Sequence, residues 1–383
     1  VGLIGPGGAG YDRRDVQMTH DLRQVASNFC IAGVFVDAVP YGSGHINDTY
    51  AVTFRQDCGW KRYILQRVNH MIFKDVPRLM DNIQRVTEHV RGKLLGIDGS
   101  DPERETLTVI PTVSGAPYHR DPRGNYWRAY MFIEDARTYD SVQRGSQAYE
   151  AARAFGTFQH FLLDLPSPPL HETIPDFHHT PRRFEKLEAA IGADTHNRAR
   201  TAAAEIEFAL ARKSETGTLV DLLESGDLPA RVTHNDTKIN NVMLNDADGA
   251  GICVIDLDTV MPGTVLYDFG DQVRTTTATA AEDERDLSKV QFRLDMFESL
   301  VHGYLDAARA FLVPSELKHL GFCGRLITFE IGIRFLTDFL EGDVYFKTHR
   351  DGHNLDRCRT QFEMVRQMES QSEAVEEIVA RYR

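Results

Sequence analysis

The sequence predicts an α+β chain, with a small β-rich N-terminal lobe followed by a larger, mainly helical one. Three observations carry this. Up to about residue 134, short apolar runs alternate with glycine- and aspartate-containing turns, the pattern of antiparallel hairpins. From about Gln143 onward the apolar spacing becomes that of amphipathic helices. One more hairpin interrupts the helical part, where Val242–Leu244 and Ile252–Ile255 flank the turn-rich insert Asn245–Gly251. A length of 383 residues suits one large two-lobed unit or two domains. The expected division is an extension over 1–17, an N-lobe over 18–134 and a C-lobe over 135–383.

The elements follow in order. Residues 1–17 contain Gly5-x-Gly7-x-x-Gly10, which spells a dinucleotide fingerprint. Only four residues precede it and no βαβ spacing follows, so it reads as a flexible extension. Leu22–Ile31 places Leu22, Val25, Ala26, Phe29 and Cys30 on one helical face, and Gly33 stops it. Val34–Val39 and Ala51–Phe54 are strands around the glycine turn Tyr41–Tyr50. Gly42 and Gly44 leave bare main-chain N–H groups there, able to approach a phosphate or simply to close a tight hairpin. Lys61–Val68 is the next strand, Val76–Val90 a helix and Val109–Val113 a strand. Pro117–His119 and Tyr126–Ile133 form a hairpin around Asp121–Gly124, ending at Glu134. Helices are expected over Ala148–Leu163, Asn197–Lys213, Ser288–Leu312, Pro314–Leu340 and Thr360–Tyr382. His178 and His179 are adjacent on a loop, poor joint metal ligands that suit capping or substrate-loop roles better.

Composition narrows the function classes. A net charge of −13 argues against nucleic acid or an anionic membrane as main partner. The five cysteines (Cys30, Cys58, Cys253, Cys323, Cys358) are scattered and lack a C-x-x-C pair, which is reduced, cytoplasmic usage. No apolar run approaches the ~18 residues of a membrane span, and the N-terminus shows no secretory pattern.

The chemistry concentrates in residues 231–258, RVTHNDTKINNVMLNDADGAGICVIDLD. His234-x-Asp236-x4-Asn241 precedes the hairpin, and its second strand runs into Asp256-x-Asp258. This order is that of a kinase catalytic loop. Phosphoryl transfer needs a carboxylate beside the attacking hydroxyl, and an amide and a second carboxylate to hold magnesium on the nucleotide phosphates. The spacing assigns Asp236 as base and Asn241 and Asp256 as metal ligands, with Asp258 a further metal candidate. Asp and Asn also form ordinary turns, but four of them in this order around a hairpin favour the functional reading. Asp268-Phe269-Gly270 spells the protein-kinase metal motif, yet no strand leads into it. Asp268 is therefore expected to brace the loop. Kinases carry a phosphate-gripping lysine near the Lys61–Val68 strand; here Gln66 occupies the place, flanked by Arg62 and Arg67. Arg334 lies mid-way along an apolar helix. It either forms a ladder with Glu330 and Asp338 or faces the substrate with its planar donor fork.

The segments PYGSGHINDTY, RYILQRVN, RVTHNDTKINN, VIDLDTVMPG, LYDFGD and FLEGDVYF resemble the aminoglycoside phosphotransferase/choline kinase superfamily, and within it the N-acetylhexosamine 1-kinases of bifidobacterial type. The likeness runs from about residue 20 to the end. It implies a two-lobed, protein-kinase-like fold with a hinge near Glu134, use of ATP and Mg²⁺, and phosphorylation of N-acetylglucosamine or N-acetylgalactosamine at the C1 hydroxyl. It implies that Asp236 also orients the sugar, that Arg334, Tyr345 and His45 contact it, and that Gly42, Ser43, Gly44, Asn47, Phe132 and Glu134 surround the nucleotide. Thr275 stands where the resembled enzymes carry an aromatic residue beside the sugar. The expected protein is a cytoplasmic monomer with no nucleic-acid or membrane partner. Alternatives are a kinase of the same fold for another sugar, an aminoglycoside, homoserine or methylthioribose, or a nucleotide-binding pseudokinase.

Overall fold

The computed structural model describes residues 20–42 and 46–383. The expectations for 1–17 and for Ser43, Gly44 and His45 lie outside these residues. The chain divides into two compact units: residues 1–70 with 109–132, and residues 71–108 with 133–383. The stretch 18–134 is thus shared between them, with 71–108 and 133–134 in the second.

The first unit is an antiparallel sheet with one short helix. Helix α1, Leu22–Ala26, begins at Asp21, whose Oδ1 accepts the Gln24 N–H at 3.0 Å. Strands β1 (Val34–Pro40), β2 (Asp48–Gln56), β3 (Gly59–Val68), β4 (Val109–Ile110), β5 (His119–Arg120) and β6 (Tyr126–Met131) pair in the order β1-β2-β3-β6-β4, with β5 on β6. Alternation decides which face is buried. Val52, Phe54, Tyr63, Leu65, Trp127 and Ala129 point to one side and meet Val25, Ala26 and Phe29. The opposite face carries Thr49, Gln66 and Arg128. Gln66 Nε2 donates to Thr49 Oγ1 at 2.8 Å, and Gln66 Oε1 accepts from Arg128 Nε at 2.9 Å. Asp121 ties the β5–β6 turn together by accepting from Trp127 Nε1 at 3.0 Å and Asn125 Nδ2 at 2.9 Å.

The second unit is mostly helical. Its helices are α2 (Val76–Leu94), α3 (Pro102–Glu105), α4 (Gly145–Phe161), α5 (Thr180–Ala193), α6 (Ala203–Leu210), α7 (Thr218–Ser225), α8 (Val265–Thr276), α9 (Leu294–Ala308), α10 (Pro314–Lys318), α11 (Leu320–Leu340), α12 (His353–Ser370) and α13 (Ser372–Tyr382). Strands β7 (Ala136–Arg137), β9 (Val242–Asn245) and β10 (Gly251–Val254) form one small sheet, and β8 (Arg231–Thr233) pairs with β11 (Met261–Gly263). One core joins α4, α8, α9 and α11 through Ala152, Phe269, Tyr304, Leu300 and Ile327, and another joins α5, α11 and α12 through Phe184, Phe329, Ile333 and Phe362. Close approach of α4 and α9 depends on Gly303, since a Cβ there would stand 2.1 Å from the Tyr149 carbonyl oxygen.

Several expected boundaries move. The helix read as Pro314–Leu340 breaks at His319 into α10 and α11, and the one read as Thr360–Tyr382 starts earlier and breaks at Gln371. Helices α3, α5, α7 and α8 were not expected; α8 is buried on nearly every side and so shows no apolar stripe. No helix among the described residues is long and apolar enough to cross a membrane.

Candidate functional site

The site is built at the junction of β8, the 234–241 loop and the β9–β10 hairpin. After β8 the main chain turns sharply, with Asn235 at φ 65°. Such a left-handed residue costs energy unless its surroundings hold it, and here they do. Asp268, fully buried on α8, accepts the His234 N–H at 3.0 Å and the Asn235 N–H at 2.7 Å. Gln159 Nε2 donates to the same carboxylate at 2.7 Å, and Tyr304 Oη donates to Gln159 Oε1 at 2.7 Å. Burial pushes the Asp268 carboxyl above its ordinary range, against the pull of His234 and these donors. Asp268 thus does what the sequence suggests, bracing the loop from within a helix. One turn on, Asp271 Oδ2 accepts the Thr237 N–H at 2.9 Å while Oδ1 meets Arg274 Nε at 2.9 Å. Burial would raise the Asp271 pKa, but the Arg274 charge outweighs it and holds the group below the usual carboxylate range.

The loop so braced presents Asp236. Asn241 Nδ2 donates to the Asp236 main-chain oxygen at 2.7 Å and to its Oδ2 at 3.1 Å, which turns the Asn241 carbonyl oxygen the other way. The Ile255 N–H donates to the Asn241 main-chain oxygen at 2.9 Å, so the residue after Ile255 falls next to Asn241. That residue is Asp256, exposed and left-handed at φ 59° and ψ 56°. Asp236, Asn241 and Asp256 are therefore brought together. Asp258, only 2% exposed, follows within the same turn, where its main-chain oxygen accepts from Thr173 Oγ1 at 3.3 Å.

Lys238 is the residue that sequence reasoning passed over. Its Nζ lies 3.1 Å from Asp236 Oδ1. Burial works against its charge, but Asp236 and Asp271 outweigh this and raise its pKa. The signal was its place two residues after Asp236, which reads equally as an ordinary solvated lysine. The arginines flanking Gln66 are engaged elsewhere: Arg67 Nε bonds Asp48 Oδ2 at 2.6 Å, and Arg62 lies 3.8 Å above the Phe132 ring.

The remaining expected residues are distributed as follows. In the first unit Gly42 has φ +82°, a conformation that favours glycine, and Asn47 Oδ1 accepts the Asn69 N–H at 2.9 Å. Tyr41 packs edge-on against Phe132 at 5.3 Å. In the second unit the Glu134 main-chain oxygen accepts from Arg104 Nη2 at 3.2 Å. The Glu330–Arg334–Asp338 ladder forms only in part. Arg334 Nη1 approaches Glu330 Oε1 to 4.0 Å, whereas Asp338 turns away to accept the N–H groups of Val344, Tyr345 and Phe346 at 2.9, 2.7 and 2.9 Å. Those bonds set the turn that carries Tyr345, whose ring sits edge-on to Phe346. His178 is buried with Nδ1 2.9 Å from Glu330 Oε1 and Nε2 3.3 Å from the Asn235 oxygen, and His179 accepts the Arg182 N–H at the start of α5.

An antiparallel-sheet unit and a mainly helical unit, the latter carrying the Asp236 loop, are the parts of the two-lobed, protein-kinase-like phosphotransferase fold. Residues 37–300 match the model of the phosphotransferase enzyme family, APH, and the chain belongs to that family. Similar solved structures include a microcompartment-associated aminopropanol kinase, at 15% identity and TM-score 0.58 over 92% of this chain and 97% of that one. A choline kinase from Cryptosporidium parvum matches at 14% identity and TM-score 0.52, over 94% and 96%. A spectinomycin phosphotransferase in complex with ADP and spectinomycin matches at 12% and TM-score 0.50, over 88% and 92%. At such identities the likeness is one of fold.

Proposed function

We propose that this member of the family is an ATP-dependent kinase that phosphorylates the C1 hydroxyl of N-acetylglucosamine or N-acetylgalactosamine, giving the sugar 1-phosphate. The observation that supports the kinase reading is the junction at which Asn241 bonds the Asp236 carboxylate and the Ile255–Asn241 bond sets Asp256 beside them, and the choice of sugar rests on the sequence resemblance. Asp236 accepts the proton of the attacking hydroxyl. An anomeric hydroxyl is more acidic than an ordinary alcohol because the ring oxygen withdraws electron density, so a carboxylate suffices as base. Most of the rate then comes from positioning and charge stabilisation.

The residues present fit a magnesium ion. The Asn241 carbonyl oxygen and the Asp256 carboxylate are hard oxygen donors, with Asp258 a further candidate. No group of three or more His, Cys, Asp or Glu that could hold a metal occurs among the described residues. A magnesium ion beside nucleotide phosphates is commonly held by one or two carboxylates, with phosphate and water completing its shell. When bound, it supplies neutralisation of the nucleotide phosphate charge. Lys238, beside Asp236, is the cation this reading assigns to the transferring phosphoryl group in place of a lysine at Gln66. Gly42, Ser43, Gly44, Asn47, Phe132 and Glu134 are assigned to the nucleotide, and His45, Arg334 and Tyr345 to the sugar.

The test is turnover with ATP and magnesium against a panel of N-acetylhexosamines, hexoses, aminoglycosides and amino alcohols, with the product's phosphate position read by NMR. A 1-phosphate from an N-acetylhexosamine is expected. No turnover of any N-acetylhexosamine would end the sugar reading, leaving a kinase for another hydroxyl compound.

A further inference from the structure

Two arginines of the second unit leave most of their hydrogen-bonding capacity unused. Arg334 has a side chain 11% exposed, and among the described residues nothing accepts a hydrogen bond from it. Its guanidinium stands over the Phe177 and Phe346 rings, 5.4 and 5.9 Å from their centroids. Arg183, on α5, donates from Nη2 to the Phe177 main-chain oxygen at 3.1 Å, while its Nε is buried with no partner. Phe177 thus holds both, one by its carbonyl and one by its ring. Burial and the nearby Arg334 charge both lower the Arg183 pKa.

The charges around them do not balance. Glu330 is the carboxylate nearest to Arg334, and both of its oxygens are already taken, by His178 at 2.9 Å and Thr180 Oγ1 at 2.6 Å. Asp338 is committed to main-chain N–H groups and to Asn354. Asp176, also close to Arg183, is paired with Arg182. The buried Arg183 Nε is costly without an acceptor unless a ligand supplies one. The cluster also adjoins the reacting loop, because His178 bridges Glu330 to the main-chain oxygen of Asn235, the residue before Asp236.

We propose that Arg183 and Arg334 form a donor-only acceptor subsite that reads neutral or anionic oxygen groups and rejects an acceptor with a protonated amine, with Arg183 the specificity-determining member. This rests on the reading that the acceptor hydroxyl lies beside Asp236. An acetamido carbonyl or a sugar hydroxyl supplies lone pairs to the unused N–H groups. An ammonium group supplies none and meets two like charges, and like-charge juxtaposition is among the strongest devices of discrimination.

The experiment compares acceptors that differ in charge at one position: N-acetylglucosamine with glucosamine, and propane-1,2-diol with 1-amino-2-propanol, at a pH where the amines are protonated. The wild type should prefer the neutral member of each pair that it turns over. R183Q should lower that preference about tenfold or more in kcat/KM, mainly by improving the cationic acceptor. R183K keeps the charge and loses the fork, so it should keep the preference while raising KM for the neutral acceptor. Melting of each variant checks the fold. A cationic acceptor preferred by the wild type would overturn the proposal, as would R183Q changing both members of a pair by one factor. If N-acetylglucosamine is inert but another neutral acceptor is used and R183Q relaxes its preference, the sugar assignment fails and the subsite stands.

Discussion

Lys238 Nζ lies 3.1 Å from Asp236 Oδ1, on the loop that Asp268 holds by two main-chain bonds. In the proposed function this cation stabilises the charge that develops on a transferring phosphoryl group. Lys238→Met should lower kcat by about 10²–10³, the range seen on removing one preorganised charge-stabilising donor. Steady-state kinetics with saturating ATP checks this, and an unchanged kcat would remove Lys238 from the phosphate.

Asp236→Asn keeps the shape of the side chain and removes its proton-accepting charge. Turnover should fall by about 10²–10⁴, with nucleotide affinity largely kept. Calorimetric titration with ADP alongside rate measurement separates the two. A variant as active as the wild type would place the base elsewhere.

Asp268→Ala would leave the His234 and Asn235 N–H groups and Gln159 Nε2 without an acceptor in the interior. Each such orphaned donor costs about 1–3 kcal/mol. A large loss of stability in denaturant unfolding is expected, whatever the effect on catalysis. A variant as stable as the wild type would show that the loop does not depend on this carboxylate.

Asp121 supplies a pH-dependent term in the first unit. Burial works to raise its pKa, but the bonds from Trp127 and Asn125 outweigh it and lower the group from 3.8 to about 2. A carboxyl depressed in the folded state stabilises fully above its unfolded pKa and loses that contribution as pH falls through the folded one. The stability gap between wild type and Asp121→Asn should therefore be constant above about pH 5 and shrink between about pH 4 and 2. Thermal melts across that range test it; a gap independent of pH would contradict the assignment.

Gly303→Ala places a methyl 2.1 Å from the Tyr149 oxygen, which only separation of α4 and α9 can relieve. Overpacking of this kind costs about 1–3 kcal/mol or more. The shift in denaturant midpoint measures it.

Much of this architecture was legible because it rests on local patterns. Hairpins announce themselves by alternation and turn residues, and the Asp236–Asn241–Asp256 junction by strands that end in carboxylates and an amide. What escaped was set by tertiary packing. The α8 helix, carrying Asp268 and Asp271, is buried all round, so neither periodicity nor the misleading Asp-Phe-Gly triplet identified it. Asp338 has the helical spacing of an ion-pair partner for Arg334, but main-chain N–H groups six to eight residues further on, past the end of α11, claim it instead. Lys238 needed coordinates, since a lysine two residues from an aspartate is unremarkable until its Nζ is found against that carboxylate. Arg183 belongs to a helix that was itself unforeseen.

The turn at Val344–Phe346 is held through its backbone amides and by Phe346 packing on Phe335, while the Tyr345 side chain is exposed. Position 345 can accordingly be exchanged for other amino acids without dismantling its support. If Tyr345 contacts the acceptor as proposed, evolution or a protein engineer could retune which compounds are accepted there while the bracket stays bolted down.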